Sequence, residues 1–494
     1  MRQSTTISTL VVALALFLGS RATIAFAFRP EFSDTSRYCT YAFVINEAIR
    51  LGQSPYNLYE KLVRAAPRPH NGLPVRNEDV IIEYPPLALA IMLAPLLSVP
   101  DQPPGSGVRG NGPQDAAIWM NSFRLLYFGA DVAVMIGLAW WLRRRGFGSP
   151  WGLTVGAVGG SVLAYLLYDR LDLWLGLVLL GALGALVAGR RYLALALLAV
   201  AVNLKLVPIL LLPLFLLGTL PATVLTEGLA KWRALRAGLF ASLAFAGAGL
   251  VLLLPFRLWW GPRVWDFLVY HGQRGLQIES TWSSFLLVAA YFGYPVQVVH
   301  TFGADGLIGP GTGFVASASS AVVLAVVLLV CWLTWCTAKR PRPDAVALSD
   351  RTETTVAARE PQAFLWACLA ALALAMAGSK VFSPQYLCWF LPAFLLVETP
   401  REGRAVIAPL AFLLACGLTT IILPGLWDEM VRPIPGPTLT FALPTLRVTL
   451  LALVRNLVWI GFGIMAVLQM QRRGWRTSVA PPVSRPSRRS RRRR

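Results

Sequence analysis

Short polar stretches that carry both acidic and basic side chains lie between long apolar runs of this 494-residue chain. Asp34 follows the first apolar run, residues 168–172 join two later runs, and a longer polar segment spans residues 263–279. A carboxylate can accept a proton from a hydroxyl group, and arginine and lysine can hold a phosphate. The mixture of charges therefore suits a lipid-phosphate substrate.

The candidate residues divide by the chemistry that each side chain can supply. Asp34 and His271 are the candidates for proton transfer during catalysis. Lys205, Arg274 and Lys380 are the candidates for binding a donor phosphate. Polar and aromatic candidates for contacting the rest of the substrate are Glu83, Tyr84, Asp169, Arg170, Asp172, Glu279, Gln385 and Tyr386.

Simpler structural roles are open for several of these side chains. Asp34 lies close enough to the end of an apolar run to be merely solvated, and His271 could be an ordinary loop histidine. Asp169 and Asp172 flank Arg170, so an internal ion-pair cluster competes with substrate contact.

Neither a metal ion nor a cofactor is expected. The six cysteines form no CxxC motif and no cluster with histidine, so neither a disulfide framework nor a zinc site is supported. No Gly-rich loop of the nucleotide-binding kind occurs. His70 and His300 have no neighbours in the sequence that support a role.

Apolar runs of membrane-spanning length recur along the whole chain. Hydrophobic residues make up 56% of the sequence and charged residues 14%, whereas a soluble domain usually carries about 25% charged residues. Residues 7–28, 237–255, 314–336 and 446–470 are examples, each close to the ~20 residues needed to cross a bilayer. The sequence therefore predicts an all-α polytopic membrane protein, because a single soluble core cannot account for so many runs.

Basic clusters lie at the ends of several apolar runs, at residues 143–145, 190–191 and 339–342. Such clusters mark the cytoplasmic side of a membrane, so the net charge of +21 is assigned to topology and anionic lipid rather than to nucleic acid. Both termini are predicted inside, in an inner membrane of the bacterial type. Residues 1–470 are expected to form the membrane domain, and residues 471–494 a disordered, basic cytoplasmic tail.

Ten full spans satisfy this rule, starting near Ile7, Ile118, Trp151, Leu173, Ala237, Phe314, Phe364, Gln385, Ala405 and Leu446. Residues 84–99 are short and contain three prolines, so a partial or re-entrant helix is expected there. Residues 192–220 are interrupted by two polar residues and two prolines, which predicts two half-helices that meet near Lys205. With half-helices the total lies between 10 and 13. The first run ends on a small-x-small pattern like a signal-peptide cleavage site, but its length favours an uncleaved helix.

Four ordered motifs carry a family resemblance. They are Gly52-Gln53-Ser54-Pro55-Tyr56, Glu83-Tyr84-Pro85-Pro86-Leu87, Asn203-Leu204-Lys205-Leu206-Val207-Pro208 and Lys380-Val381-Phe382-Ser383-Pro384-Gln385-Tyr386-Leu387. With the preceding Asp34, they resemble the GT-C glycosyltransferases that use polyprenyl-phosphate sugars, and most closely glycosyltransferase family 87, which includes alpha-mannosyltransferases of the PimE type. The resemblance covers roughly residues 7–396. Residues 168–172 depart from the Gly-Gln-x-Asn turn that the family often has there.

The resemblance implies a GT-C-type helical bundle whose outward-facing loops carry the active site. It implies an inverting transfer of a hexose, with mannose expected, from a polyprenyl-phosphate donor to a lipid or glycan acceptor of the envelope. Asp34 would be the general base, and nearby basic residues would bind the leaving phosphate. A transporter or flippase of lipid-linked sugars is the alternative, because broken helices and intramembrane charges suit it too.

Overall fold

The computed structural model describes residues 2–27, 34–65, 77–100, 113–144, 150–225, 231–339, 354–397, 406–434 and 440–473. The first α-helices are α1 (Arg2–Phe26), α2 (Asp34–Arg50), α3 (Pro55–Ala65), α4 (Pro86–Leu93), α5 (Pro113–Arg144), α6 (Pro150–Val162), α7 (Ala164–Leu167), α8 (Asp172–Val187), α9 (Arg191–Leu204) and α10 (Leu212–Thr219). The later α-helices are α11 (Lys231–Trp260), α12 (Asp266–Gln273), α13 (Thr281–Ala290), α14 (Thr312–Ala338), α15 (Val356–Arg359), α16 (Pro361–Gly378), α17 (Ile407–Ile422), α18 (Trp427–Met430) and α19 (Leu446–Arg473). Single 3₁₀ segments occur at Asn77–Val80, Ala94–Ser98, Val207–Leu211, Ala222–Leu225, Pro262–Trp265, Pro384–Trp389 and Pro392–Leu396.

A small antiparallel sheet joins three strands on either side of α13 to two short strands between α18 and α19. Its strands are β1 (Leu276–Gln277), β2 (Gln297–Thr301), β3 (Ala304–Ile308), β4 (Arg432–Pro433) and β5 (Thr440–Ala442), in the order β1-β3-β2-β5-β4. The β2–β3 hairpin turns at Phe302 and Gly303, whose φ angles are 50° and 60°, because a two-residue hairpin needs positive φ in its turn. The sequence had predicted helices only, so this sheet is an addition to the expected fold.

Four helices in the described chain are long and apolar enough to cross a membrane: α11, α14, α16 and α19. They differ in how much of them the rest of the protein covers. The most apolar stretch of α16 is 89% buried, whereas that of α11 is 6% buried. An apolar helix left uncovered by protein is expected to face lipid, so α16 lies at the centre of the helical bundle and α11 at its periphery.

Packing around α16 forms the main apolar core. α19 lies against α16 and α17, and α14 also packs on α16. Aromatic side chains fill the contact between these helices and the 3₁₀ segments that follow α16. Phe390, Phe412, Trp459 and Phe462 are each fully buried, and their ring centroids lie 4.9 to 6.3 Å apart.

The predicted helix break at Lys205 is confirmed. α9 ends at Leu204, Lys205 is extended with φ −158° and ψ 134°, and a 3₁₀ segment then leads into α10. The short helix expected in residues 84–99 is confirmed as well, because α4 has 8 residues and continues for one 3₁₀ segment of 5 residues. Prolines lie at the start of α4, of α10 and of the two 3₁₀ segments beside them, since proline cannot donate the backbone hydrogen bond that a helix interior requires.

Two other expectations differ from the structure. The full span expected to start near Gln385 is wrong: the chain forms two 3₁₀ segments that begin at Pro384 and Pro392. The sequence also predicts a loop outside the membrane from Arg29 to Glu83, and the described part of this range contains α2 and α3. Asp34 therefore occupies the first helical turn of α2.

The polar loops and the basic helix ends lie at opposite ends of the bundle. Lys205 follows the last residue of α9, whereas Arg190 precedes its first residue. α14 similarly starts just after the β2–β3 hairpin and is followed by Lys339. α16 runs the other way and ends before Ser379, at the polar end.

Candidate active site

A cavity of about 720 Å³ opens at the polar end of the bundle. Its wall is built from the start of α2, the segment before α4, the α7–α8 turn, the break after α9, the α12–β1 segment, the β2–β3 hairpin and the start of the 3₁₀ segment after α16. Ten of the thirteen residues predicted from the sequence line it: Asp34, Glu83, Tyr84, Arg170, Lys205, His271, Arg274, Glu279, Gln385 and Tyr386.

Asp34 is held between two arginines. Arg37, one helical turn later in α2, donates a hydrogen bond to Asp34 Oδ1, and Arg170 from the α7–α8 turn forms an ion pair with Oδ2. Arg37 also donates to Glu83 Oε1 at 2.8 Å. A carboxylate has about four acceptor positions, so Asp34 keeps acceptor capacity that can be directed at a substrate in the cavity.

The α7–α8 turn that presents Arg170 is anchored by buried contacts on both sides. Tyr168 donates its hydroxyl to Asp131 Oδ2 of α5 at 2.9 Å. The carboxylate of Asp169 lies 3.6 Å from Arg124 Nε, also of α5. Asp169 therefore does not line the cavity, and its predicted contact with substrate is replaced by a contact that fixes the turn.

Lys205 faces the cavity but already has a counter-ion. Its Nζ donates to Asp172 Oδ1 at 2.8 Å, and Trp389 Nε1 donates to the same oxygen at 2.6 Å. The ammonium also lies 4.7 Å from the ring centroid of Tyr386. Asp172 is 1% exposed and lies outside the cavity lining, so its predicted role as a substrate contact is corrected to that of the lysine's partner.

Arg274 differs from the other cations of the cavity. Its backbone N–H donates to the carbonyl oxygen of Tyr270, but its side chain forms no hydrogen bond or ion pair with the residues that the structure describes, whereas Arg37, Arg170 and Lys205 each contact a carboxylate. Its guanidinium is therefore well placed to bind an incoming anion, since its five donors are not engaged by carboxylates in the described part of the chain.

Lys380, the third predicted phosphate ligand, does not line the cavity. Its Nζ donates to the backbone oxygen of Gly272 at 3.0 Å. This contact instead ties the segment after α16 to the end of α12. Burial and the neighbouring Arg274 lower the pKa of Lys380 below its usual value.

Two ionisable groups near Arg274, His271 and Glu83, have pKa values below their ordinary ones. Burial lowers the pKa of His271 to about 4, despite the opposing effect of Glu83. Burial would raise the pKa of Glu83, but the charge of Arg37, followed by Arg274 and His271, brings it below its ordinary value. At neutral pH the imidazole is therefore uncharged and Glu83 is ionised, so His271 acts there as a neutral hydrogen-bonding group.

Glu279 shifts in the opposite direction. It is 3% exposed, and this burial raises its pKa to about 7, while Arg455, Arg170 and Arg274 partly offset the effect and Asp305 adds to it. Gln277 Nε2 lies 3.3 Å from Glu279 Oε2. Glu279 therefore changes charge near neutral pH at the wall of the cavity.

Several cavity residues were not among the predicted site. Arg37 stood in the first polar segment, but nothing in the sequence showed that it would contact both Asp34 and Glu83. His300 was judged to have no supporting neighbour, and that is wrong: its Nδ1 lies 2.8 Å from Asp305 Oδ1. The β2–β3 hairpin places these two residues opposite each other, so a hairpin prediction would have found the pair.

No metal site is evident in the part of the chain that the structure describes, where no group of three or more His, Cys, Asp and Glu side chains is arranged to hold an ion. The chemistry available from the described side chains is proton acceptance by carboxylates and anion binding by guanidinium. Comparison with known proteins adds no constraint, because no protein-family model and no curated protein sequence matches the chain.

Proposed function

We propose that this protein is a membrane glycosyltransferase that transfers a hexose, with mannose the expected sugar, from a polyprenyl-phosphate donor to a lipid or glycan acceptor. The observation that carries the proposal is that Asp34 and Arg274 line one cavity at the end of an apolar helical bundle. One of them can accept a proton and the other can bind a phosphate. Glycosyl transfer from a lipid phosphate needs both of these abilities.

The proposed setting is a GT-C-type bundle in an inner membrane, with the cavity on the outer face. Basic residues support this orientation, because Arg190, Lys231 and Lys339 flank helix ends opposite the cavity. Such residues favour the cytoplasmic side of a membrane. We propose that shorter helices such as α8 and α17, which pack inside the bundle, span the membrane together with the four long apolar helices; the span predicted near Gln385 is not among them.

In the proposed reaction, the acceptor hydroxyl attacks the anomeric carbon of the donor from the side opposite the phosphate. The hydroxyl proton passes to Asp34, a bond forms between the acceptor oxygen and the sugar, and the bond between the sugar and the phosphate oxygen breaks. The polyprenyl phosphate leaves with the bonding electron pair. Inversion at the anomeric carbon follows from this single displacement.

The leaving phosphate is proposed to lie against Arg274. The charge of Arg274 acts on Glu83 and Glu279, but its guanidinium forms no direct ion pair with a carboxylate among the described residues, so anion binding does not first require an internal ion pair to break. Lys205 lines the same cavity, but its ammonium is shared with Asp172. We therefore rank Arg274 above Lys205 as the phosphate ligand and leave Lys380 outside the site.

A transfer assay with purified full-length protein in lipid nanodiscs tests this function. With polyprenyl-phosphate mannose as donor and an envelope glycolipid as acceptor, Asp34→Asn should insert normally, bind donor and lose at least about a hundredfold in transfer rate, because general-base assistance is typically worth 10²–10⁴-fold. Asp428→Asn is the matched control, since Asp428 is exposed on α18 and outside the cavity lining. Near wild-type transfer by Asp34→Asn would exclude the proposed base.

The same purified protein, reconstituted in proteoliposomes, separates the enzyme from a flippase of lipid-linked sugars. Proteoliposomes loaded with the donor on one leaflet would show movement to the other leaflet without a new glycosidic bond if the protein were a flippase. Transfer without movement is the expected result.

A further inference from the structure

Two polar residues lie within the apolar helix α19, outside the cavity lining and outside the motifs that suggested a function. Arg455 is 1% exposed and Asn456 is fully buried. An ionisable group inside an apolar helix long enough to cross a membrane is costly and is a functional candidate by default, and Arg455 is such a group. Their contacts indicate what that function is.

Both side chains donate to one backbone oxygen. Arg455 Nη2 lies 2.8 Å and Asn456 Nδ2 lies 3.2 Å from the carbonyl oxygen of Glu279. Asn456 Nδ2 also donates to Ser284 Oγ of α13 at 2.8 Å. α19 therefore fixes the position at which residues 274–280 join α13.

Arg455 reaches a second segment of the cavity wall as well. Its guanidinium lies 4.4 Å from the ring centroid of Phe382, next to Ser383. The two segments are also bonded to each other, because Gln277 N donates to the carbonyl oxygen of Lys380 at 3.0 Å and Gln277 Nε2 lies 3.1 Å from Ser383 Oγ.

We propose that Arg455 and Asn456 are positioning residues that lock residues 274–280 against the bundle, so that Arg274 and Glu279 are held at the cavity wall. This inference rests on the function proposed above for its effect on donor binding, but the lock itself does not. Arg274 and Glu279 lie at the start and near the end of the locked segment, and both line the cavity.

A role in packing alone does not explain Arg455. Its Nε and Nη1 have no hydrogen-bond partner among the described residues, and an apolar side chain of similar size would fill the same space without burying a charge. The guanidinium is instead directed at the carbonyl and ring that define the two wall segments. A lysine would keep the charge and one donor there, so Arg455→Lys should retain part of the lock.

Hydrogen–deuterium exchange of the full-length protein in nanodiscs tests the lock without reference to activity. In Arg455→Met, the amides of Gln277, Ile278 and Ser280 should exchange roughly tenfold faster or more. The variant loses the hydrogen bond from the charged guanidinium to the carbonyl oxygen of Glu279, and the free energy of such a bond corresponds to a change of about that factor. Arg455→Lys should be intermediate. Gln469→Leu is the control, since this buried residue of α19 lies 14 residues further along, about 21 Å away. Unchanged exchange at these amides, or a uniform increase over the whole chain, would overturn the lock.

Binding of undecaprenyl phosphate tests the effect on the donor site. Arg455→Met should weaken binding about tenfold, Arg455→Lys should recover part of it, and Gln469→Leu should bind normally. In the transfer assay the loss should appear in the donor KM more than in kcat. Faster exchange with unchanged binding and KM would overturn the positioning role. If wild-type protein binds no polyprenyl phosphate, the function proposed above fails, and the exchange result alone decides whether the lock exists.

Discussion

Removing the carboxylate of Asp172 should destabilise the fold, because that carboxylate neutralises Lys205 at the break between α9 and α10. The two charged atoms are 2.8 Å apart, and the side chains are 1% and 13% exposed. At an effective dielectric constant near 20, such a pair attracts by about 6 kcal/mol before desolvation is subtracted. Leaving one member of a buried pair without the other typically costs ~3–5 kcal/mol.

For Asp172, the expected loss lies near the lower limit of this ~3–5 kcal/mol range. Lys205 lines the cavity and retains the ring of Tyr386 beneath its ammonium, so water and aromatic contact partly replace the lost carboxylate. Trp389 loses a hydrogen-bond acceptor in Asp172→Leu, which adds about 1 kcal/mol. We therefore expect Asp172→Leu to lower the free energy of unfolding by about 3 kcal/mol. Asp172→Asn keeps an acceptor for Trp389 and should cost about 2 kcal/mol.

Denaturant unfolding in detergent micelles, followed by tryptophan fluorescence, measures this change. The double variant Lys205→Met/Asp172→Leu should recover at least about 2 kcal/mol relative to the sum of the two single variants, because residues in direct contact are not additive. Additive losses, or single losses below about 0.5 kcal/mol, would refute the assignment of Asp172 as the counter-ion of Lys205.

Three further predictions concern the cavity itself. Arg274→Gln should raise the donor KM roughly tenfold or more, whereas Lys380→Gln should change it less, and equal effects would remove the distinction drawn between these two cations. Because Glu279 has a raised pKa of about 7, its carboxyl group is neutral below that pH and ionised above it, next to Arg274. The affinity for the anionic donor should therefore fall as pH rises through 7. In a binding titration against pH, Glu279→Gln should abolish this fall. Because the pKa of His271 is lowered to about 4, its imidazole stays neutral from pH 8 down to about 5. His271→Gln should therefore lower the transfer rate without changing the shape of the pH–rate profile over that range. Loss of an inflection near pH 6.5 in this variant would contradict the lowered pKa of His271.

The sequence predicted the elements that depend on local chemistry. The break at Lys205 was predictable because two prolines and two polar residues interrupt an apolar run that has basic residues on both flanks. The grouping of Asp34, Arg170, Lys205 and Arg274 at one end of the bundle was predictable once the basic clusters were assigned to one side of the membrane and successive spans were given opposite directions. Both inferences used only the apolar runs, the prolines and polar residues that interrupt one of them, and the position of charges along the chain.

Partners that are distant along the chain could not be predicted in the same way. Lys205 and Asp172 are 33 residues apart, and Arg455 lies 176 residues from Glu279, so their contacts depend on how α8, α9 and α19 pack. The pairing of His300 with Asp305 depends on the β2–β3 hairpin, which was not predicted from the sequence. Sequence patterns thus indicated which residues carry charge at this end, while packing decided which charges remain available to a ligand.

The ion-pair network around Asp34 is not explained by a gain in folding stability. Burying paired charges returns little or no net free energy, because desolvation offsets most of the attraction. Arg37, Arg170, Asp34 and Glu83 nevertheless stay partly open to the cavity, with side-chain exposures of 11% to 25%. Two guanidinium groups fix the orientation of the Asp34 carboxylate, and orientation is what a general base requires before its substrate arrives. For the function proposed above, this orientation would present the Asp34 carboxylate to an acceptor hydroxyl in the cavity that Arg274 also lines.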